Sequence, residues 1–206
     1  MGILDLAQED NITTRVGDKL KGHVALVTGG TRGIGAAICR SLASQGAKLA
    51  AGYTGNDKVA GEFRDAFSKK YATSVSIHKG NLGDPGECRR TIDEVISTHG
   101  RLDILVNNAG ISIDKTVLKM SDEDWFNVLN VNLSGVFFLS QAALRHMAER
   151  GSGRIVNVSS VVGEMGNIGQ ANYAASKSGL FGLTKTLARE AALLLARRVS
   201  SPIPTE

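Results

Sequence analysis

Five short apolar runs alternate with stretches of helical period along this chain, and that alternation restricts its fold more than any other feature. Residues 23–28 (HVALVT) predict a buried strand, and residues 33–45 a helix with Ile34, Ala37, Ile38 and Leu42 on one face. Residues 47–52 (AKLAAG) predict a second strand, and 58–70 a helix whose apolar side is Val59, Phe63, Ala66 and Phe67. A third strand is expected at 74–78. The next helix opens at Asp84 and Pro85, an acidic cap followed by an early proline, and runs to about residue 98. Residues 102–107 (LDILVN) and 154–159 (RIVNVS) supply the fourth and fifth strands. Between them, Ser121-Asp-Glu-Asp124 is a capping-box signal for a helical region in two pieces that ends near Arg150. A final helix is expected over 171–198.

Because the connections contain helices, the strands should run parallel with right-handed crossovers. The fold class is therefore α/β, a doubly wound parallel sheet, and its ligands belong at the carboxyl ends of the strands. A chain of 206 residues suits one domain, read as 21–198, preceded by a polar extension over 1–20 and followed by a tail over 199–206. With 42% hydrophobic and 21% charged residues, it is composed as a globular protein rather than a disordered one. It contains no apolar run of about 18 residues, so no membrane span is expected. The N-terminus does not read as a secretory signal. Cys39 and Cys88 fall in helical stretches and form neither a disulfide framework nor a metal-ligand pattern, so a reducing, cytoplasmic setting and no metal are expected. The net charge of +4 is scattered, and the longest basic runs are pairs. No basic stripe or aromatic platform for nucleic acid results, and an anionic cofactor or a thioester substrate accounts for mild positive charge equally well.

The segment Thr28-Gly-Gly-Thr-Arg-Gly-Ile-Gly35 lies between the first strand and the first helix, with Gly29, Gly33 and Gly35 spaced as TGxxxGxG. Glycines allow a sharp turn and close approach of a pyrophosphate, and the helix N-terminus adds N–H groups and a positive dipole. A glycine triplet alone also describes an ordinary turn; its position between strand and helix argues for the phosphate site. Enzymes that use NAD usually place a carboxylate after the second strand for the ribose hydroxyl. Here that stretch reads Gly52-Tyr-Thr-Gly-Asn56, while Arg32 stands in the glycine loop, where a guanidinium can face a 2′-phosphate. The expected cofactor is therefore NADP(H). The competing reading makes Arg32 a solvated loop charge and has Asp57 reach back to the ribose.

Tyr173 and Lys177 are four residues apart and so share a face of the last helix. A nearby ammonium favours tyrosinate and makes Tyr173 a usable general acid near neutral pH. By itself such a pair is usually plain helix surface. Its companions point to chemistry: Ser160 at the carboxyl end of the fifth strand, Asn107-Asn-Ala-Gly110 at the end of the fourth, and Asn132 inside an apolar helical stretch, where an amide needs a hydrogen-bonding reason.

TGxxxGxG, NNAG, a helix Asn, a Ser and YxxxK, in this order and spacing, resemble the short-chain dehydrogenases/reductases of the compact type, from about Lys21 to Ala192. The resemblance implies a Rossmann-type sheet. It implies Tyr173 as proton donor, and Lys177 as the residue that tunes it and holds the nicotinamide ribose. Ser160 would donate to the substrate oxygen, and Asn132 would anchor a water-borne proton relay. Gly29, Thr31, Arg32, Gly33 and Ile34 match the phosphate loop, Thr54 a ribose-side contact, Asn81 and Leu82 the adenine contacts, and Asn107 a further cofactor contact. Residues 165–177 and 107–114 are most similar to bacterial 3-oxoacyl-carrier-protein reductases and acetoacetyl-CoA reductases. The expected reaction is thus NADPH-dependent reduction of a 3-oxoacyl thioester, bound to coenzyme A or to a carrier protein. After Glu190 the family pattern continues into two further strands, a loop over the nicotinamide and a substrate lid, which residues 191–206 do not match. The resemblance therefore implies a chain lacking the family's last strands. The alternative function is a catalytically inactive nucleotide-binding fragment of such a reductase, and a homo-oligomer is expected if the C-terminus is restored.

Overall fold

The computed structural model describes residues 17–71 and 75–199. Strands β1 (Val24–Val27), β2 (Lys48–Tyr53), β3 (Val75–Lys79), β4 (Ile104–Asn107) and β5 (Arg154–Asn157) form one parallel sheet in the order β3-β2-β1-β4-β5. The order reverses at β1, which places a crevice between the carboxyl ends of β1 and β4. Helices α1 (Gly33–Ala43), α2 (Asp57–Lys70), α3 (Pro85–His99), α4 (Asp122–Leu129), α5 (Gly135–Arg150), α6 (Val162–Met165) and α7 (Ala171–Val199) complete the fold. The doubly wound sheet expected from the alternation is the one observed. The extension over 1–16, the tail over 200–206 and the expected strand start at 74 lie outside the described residues. The end of the extension packs on the turn after α1: the N–H groups of Gly17 and Leu20 donate to the carbonyls of Ser44 (2.7 Å) and Gln45 (2.8 Å).

Both faces of the sheet are apolar because strands covered on both sides need no polar alternation. On one face Leu26, Leu105 and Ala50 meet Ile92 and Val95 of α3 and Leu139 and Met147 of α5. On the other, Val27, Leu49 and Val106 meet Cys39 of α1 and Phe67 of α2. Each fully buried leucine in these layers contributes about 1.5–3 kcal/mol. Val156 shares the second face beside Val106, yet remains 49% exposed, because no described element covers β5 there.

The helical region from Ser121 forms the two pieces expected, α4 and α5. It passes from α4 to α5 through a π turn, Asn130–Ser134, without leaving helical dihedrals at Asn130 or Gly135. One residue too many for an α-helical register is absorbed as a bulge, as often happens at functional sites. The short α6 had no counterpart in the pattern, since four residues are too few to show a period.

Asp103 ties the start of β4 to β1. Its side chain, 4% exposed, accepts from the Val24 N–H (2.9 Å) and pairs with Arg101 (2.5 Å). Burial alone would raise its pKa, but the Arg101 guanidinium and the Val24 N–H hold it below the ordinary carboxylate range. Asp103→Asn is expected to lose about 1–2 kcal/mol of stability at neutral pH in urea unfolding. A carboxyl lowered in the folded state stabilises above its unfolded pKa of about 3.9, and that contribution disappears as pH falls through the folded value. The gap between the two proteins should therefore close in acid.

Candidate active site

The glycine loop is shaped by contacts that no side chain would fit. Gly29 and Gly33 have φ of +63° and +53°, and a Cβ on Gly35 would lie 2.1 Å from the Gly29 carbonyl oxygen. Thr28 joins the loop to β4: its Oγ1 accepts from the N–H groups of Asn108 and Ala109, both at 3.0 Å, and Asn108 Nδ2 donates to the Thr28 carbonyl at 2.9 Å. Helix α1 begins without a side-chain cap and without an acid in its first turn. Its first N–H groups and dipole thus face a cleft of about 560 Å³, an arrangement suited to a phosphate anion. Gly29, Thr31, Arg32, Gly33 and Ile34 all line this cleft, and Arg32 forms no ion pair among the described residues.

Thr54, Asn81 and Leu82 line its far end. Thr54 Oγ1 donates to the Gly80 carbonyl, and the Gly80 N–H donates to the Tyr53 carbonyl (3.0 Å), so the ends of β2 and β3 form one wall. Asp57 does not turn back into the cleft. Its carboxylate accepts from the Tyr53 hydroxyl (3.0 Å) and from Lys79 Nζ (3.0 Å), and these two donors, Lys79 foremost, hold its pKa below the ordinary range.

At the other end, Lys177 and Asn132 converge on Gly110. A Cβ built there would lie 3.2 Å from Asn132 Oδ1 and 3.6 Å from Lys177 Nζ. Lys177 is 4% exposed, donates to the Val158 carbonyl at 2.8 Å, and stands 5.7 Å from the centre of the Tyr173 ring. Burial lowers its pKa. Asn132, fully buried in the π turn, accepts from the Ile111 N–H (2.8 Å) and donates to the Ile111 carbonyl (2.8 Å) and to Ser176 Oγ (3.2 Å). Ser176 in turn donates to the Tyr173 carbonyl at 2.7 Å. Both amide hydrogens of Asn132 are therefore engaged in holding the loop after β4 against α7. Ser160 follows β5 and accepts from the Val162 N–H at 3.2 Å, one turn before Gly163. A Cβ on Gly163 would come within 2.8 Å of the Lys177 carbonyl carbon, so α6 seats tightly on the helix that carries Tyr173 and Lys177.

A model of the short-chain dehydrogenase family matches residues 23–195. The chain belongs to that family. Among relatives, it is 43% identical over 180 residues to a 3-oxoacyl-(acyl-carrier-protein) reductase of Escherichia coli, covering 84% of this chain and 68% of the relative. It is 45% identical over 168 residues to the enzyme of the same name from Staphylococcus aureus, covering 82% and 68%. An acetoacetyl-CoA reductase of Rhizobium meliloti is 46% identical over 170 residues, with the same coverage of 82% and 68%. As a short-chain dehydrogenase the chain is an oxidoreductase by descent, built on the sheet its sequence predicts. Among the described residues no helix is long and apolar enough to cross a membrane.

Of the expected cofactor contacts, Asn107, Tyr173 and Lys177 are not among the residues that line this cleft. Asn107 is the last residue of β4, paired across the sheet with Asn157, and is 2% exposed. Its Nδ2 donates to Asn157 Oδ1 (2.8 Å) and Ser140 Oγ (3.1 Å), behind the cleft. Asn108, Ala109 and Gly110 line the cleft instead. The signal was present in the doubled asparagine: Asn107 belongs to the strand and faces a helix layer, while Asn108 has left the strand. Asn172 was also missed. It is fully buried, donates to the carbonyls of Ile113 and Asp124 (both 3.2 Å), and accepts from the Tyr173 N–H (2.7 Å), joining the loop after β4, α4 and the start of α7.

Proposed function

We propose that this short-chain dehydrogenase reduces the ketone of a 3-oxoacyl thioester with NADPH. The observation that carries the reading is the approach of buried Lys177 to the Tyr173 ring and, with Asn132, to Gly110, which lines the same cleft as the uncapped glycine-loop helix. When bound, NADPH supplies the hydride. The N–H groups of α1 and the Arg32 guanidinium hold its phosphates, and Thr54, Asn81 and Leu82 flank its adenosine end. The Tyr173 hydroxyl gives a proton to the ketone oxygen, and the Ser160 hydroxyl donates to that oxygen as it gains charge. Lys177, fixed by the Val158 carbonyl, keeps a positive charge beside the forming tyrosinate and reaches the nicotinamide ribose. Asn132 keeps the Gly110 loop in register with Lys177 and is the proposed anchor of the proton relay.

The relatives' names, with 3-oxoacyl-carrier protein or acetoacetyl-CoA as substrate, support the acyl thioester. So do two loops joined by the Lys115 N–H, which donates to the Gly169 carbonyl at 2.9 Å. They expose Leu118 (99%) and Ile168 (91%), apolar surface suited to an acyl chain. A second reading, binding without turnover, is favoured by the face of β5 at Val156, which no described element covers. Fluorescence titration tests the cofactor. NADPH should bind more tightly than NADH, and Arg32→Ala should weaken NADPH selectively by about 1–3 kcal/mol, one charge-assisted contact. Equal affinities for the two dinucleotides would contradict the assignment. Consumption of NADPH on adding acetoacetyl-CoA separates turnover from binding alone.

A further inference from the structure

The turn after β2 carries an acid at the wrong place for a second anion. Asp57 opens α2 immediately after Asn56, which lines the cleft, and two residues before Val59, which also lines it. A bare carboxylate there would repel a phosphate on the adenosine ribose. The carboxylate is not bare. Lys79, at the end of β3 between the cleft residues His78 and Gly80, donates to it at 3.0 Å, and the Tyr53 hydroxyl donates to its other oxygen at 3.0 Å. The remaining charges nearby are already paired: Lys58 with Glu62 (3.9 Å), and Arg90, which donates to the Lys79 carbonyl (2.9 Å), with Glu87 and Glu94.

We propose that Lys79 is a specificity-determining residue: by neutralising Asp57 and, with Tyr53, holding it out of the cleft, it permits the ribose phosphate that distinguishes NADPH from NADH. The inference rests on the NADPH reading above and adds to it a residue on β3, across the sheet from the glycine loop. Arg32 attracts the phosphate; Lys79 removes the charge that would oppose it. Lys79 acts through Asp57 and needs no contact with the cofactor.

Binding of NADPH and NADH by fluorescence, at low and moderate salt, tests this in four proteins. Lys79→Met should weaken NADPH about three- to tenfold at low ionic strength and change NADH less than about twofold, and the difference should shrink as salt rises. Asp57→Asn should leave NADPH binding equal or tighter. The double variant Lys79→Met/Asp57→Asn should recover NADPH affinity to within about twofold of the unsubstituted chain. A Lys79→Met protein that loses both dinucleotides equally shows only a structural role and overturns the inference. A double variant that stays weak for NADPH shows direct phosphate contact by Lys79 and overturns it as well. A Lys79→Met protein whose NADPH and NADH affinities both equal those of the unsubstituted chain overturns this inference alone. An unsubstituted chain that binds neither dinucleotide overturns the cofactor reading and this inference with it.

Discussion

Gly35→Ala is expected to weaken NADPH binding by at least about a hundredfold, roughly 2.7 kcal/mol. The added methyl would meet the Gly29 carbonyl oxygen at 2.1 Å and Asn108 Nδ2 at 2.8 Å. The first of these is main chain on the opposite limb of the same loop, so no rotamer change relieves it. Either the loop opens or α1 moves back, and both displace the N–H groups that face the cleft. Overpacking of this kind costs about 1–3 kcal/mol, occasionally more. Here it falls on the geometry proposed to hold the phosphates. Gly61→Ala in α2 is the control, since a Cβ there meets nothing within 4 Å. That variant should bind NADPH normally and be slightly more stable, because alanine suits a helix interior better than glycine. Titration of the three proteins checks this; Gly35→Ala with affinity within about threefold of the unsubstituted chain would show that the loop does not hold the dinucleotide as described.

The parts of the fold that could be read from sequence are those fixed by local pattern. Strand and helix order followed from periodicity, and the start of α3 from Asp84 and Pro85, whose cap the structure realises with Asp84 Oδ1 accepting from the Glu87 N–H at 2.8 Å. The glycine loop was legible because its chemistry is written in adjacent residues. What was not legible depends on pairing across the sheet or between distant segments. Asn107 and Asn108 are neighbours with opposite fates, decided by where β4 stops. The π turn at Asn132 required knowing that Ile111 offers both a donor and an acceptor at the height of the helix. Asn172 reads as a polar residue beside Tyr173 until Ile113 and Asp124 are brought against it. The competing use of Asp57 as a ribose ligand could not be judged from the sequence, because Lys79 is 22 positions away and meets it only through the pairing of β2 with β3.

The chemistry has a sharper test. Tyr173→Phe keeps the ring that faces Lys177 and removes only the hydroxyl. In the proposed reaction that hydroxyl is the proton donor, and positioned general acids contribute about 10²–10⁴ in rate. Neither the Lys177 bond to the Val158 carbonyl nor the Ser176 bond to the Tyr173 main chain involves the phenol, so the cleft should keep its shape. The decisive measurement follows NADPH consumption with acetoacetyl-CoA in the unsubstituted chain and in Tyr173→Phe, alongside NADPH titrations of both. The expected result is ketone reduction by the unsubstituted chain, slowed about 10²–10⁴-fold by the substitution, with NADPH affinity changed less than about twofold. Near-normal turnover in Tyr173→Phe would contradict the assignment of the proton donor, and NADPH binding with no reduction by the unsubstituted chain would contradict the reductase reading itself.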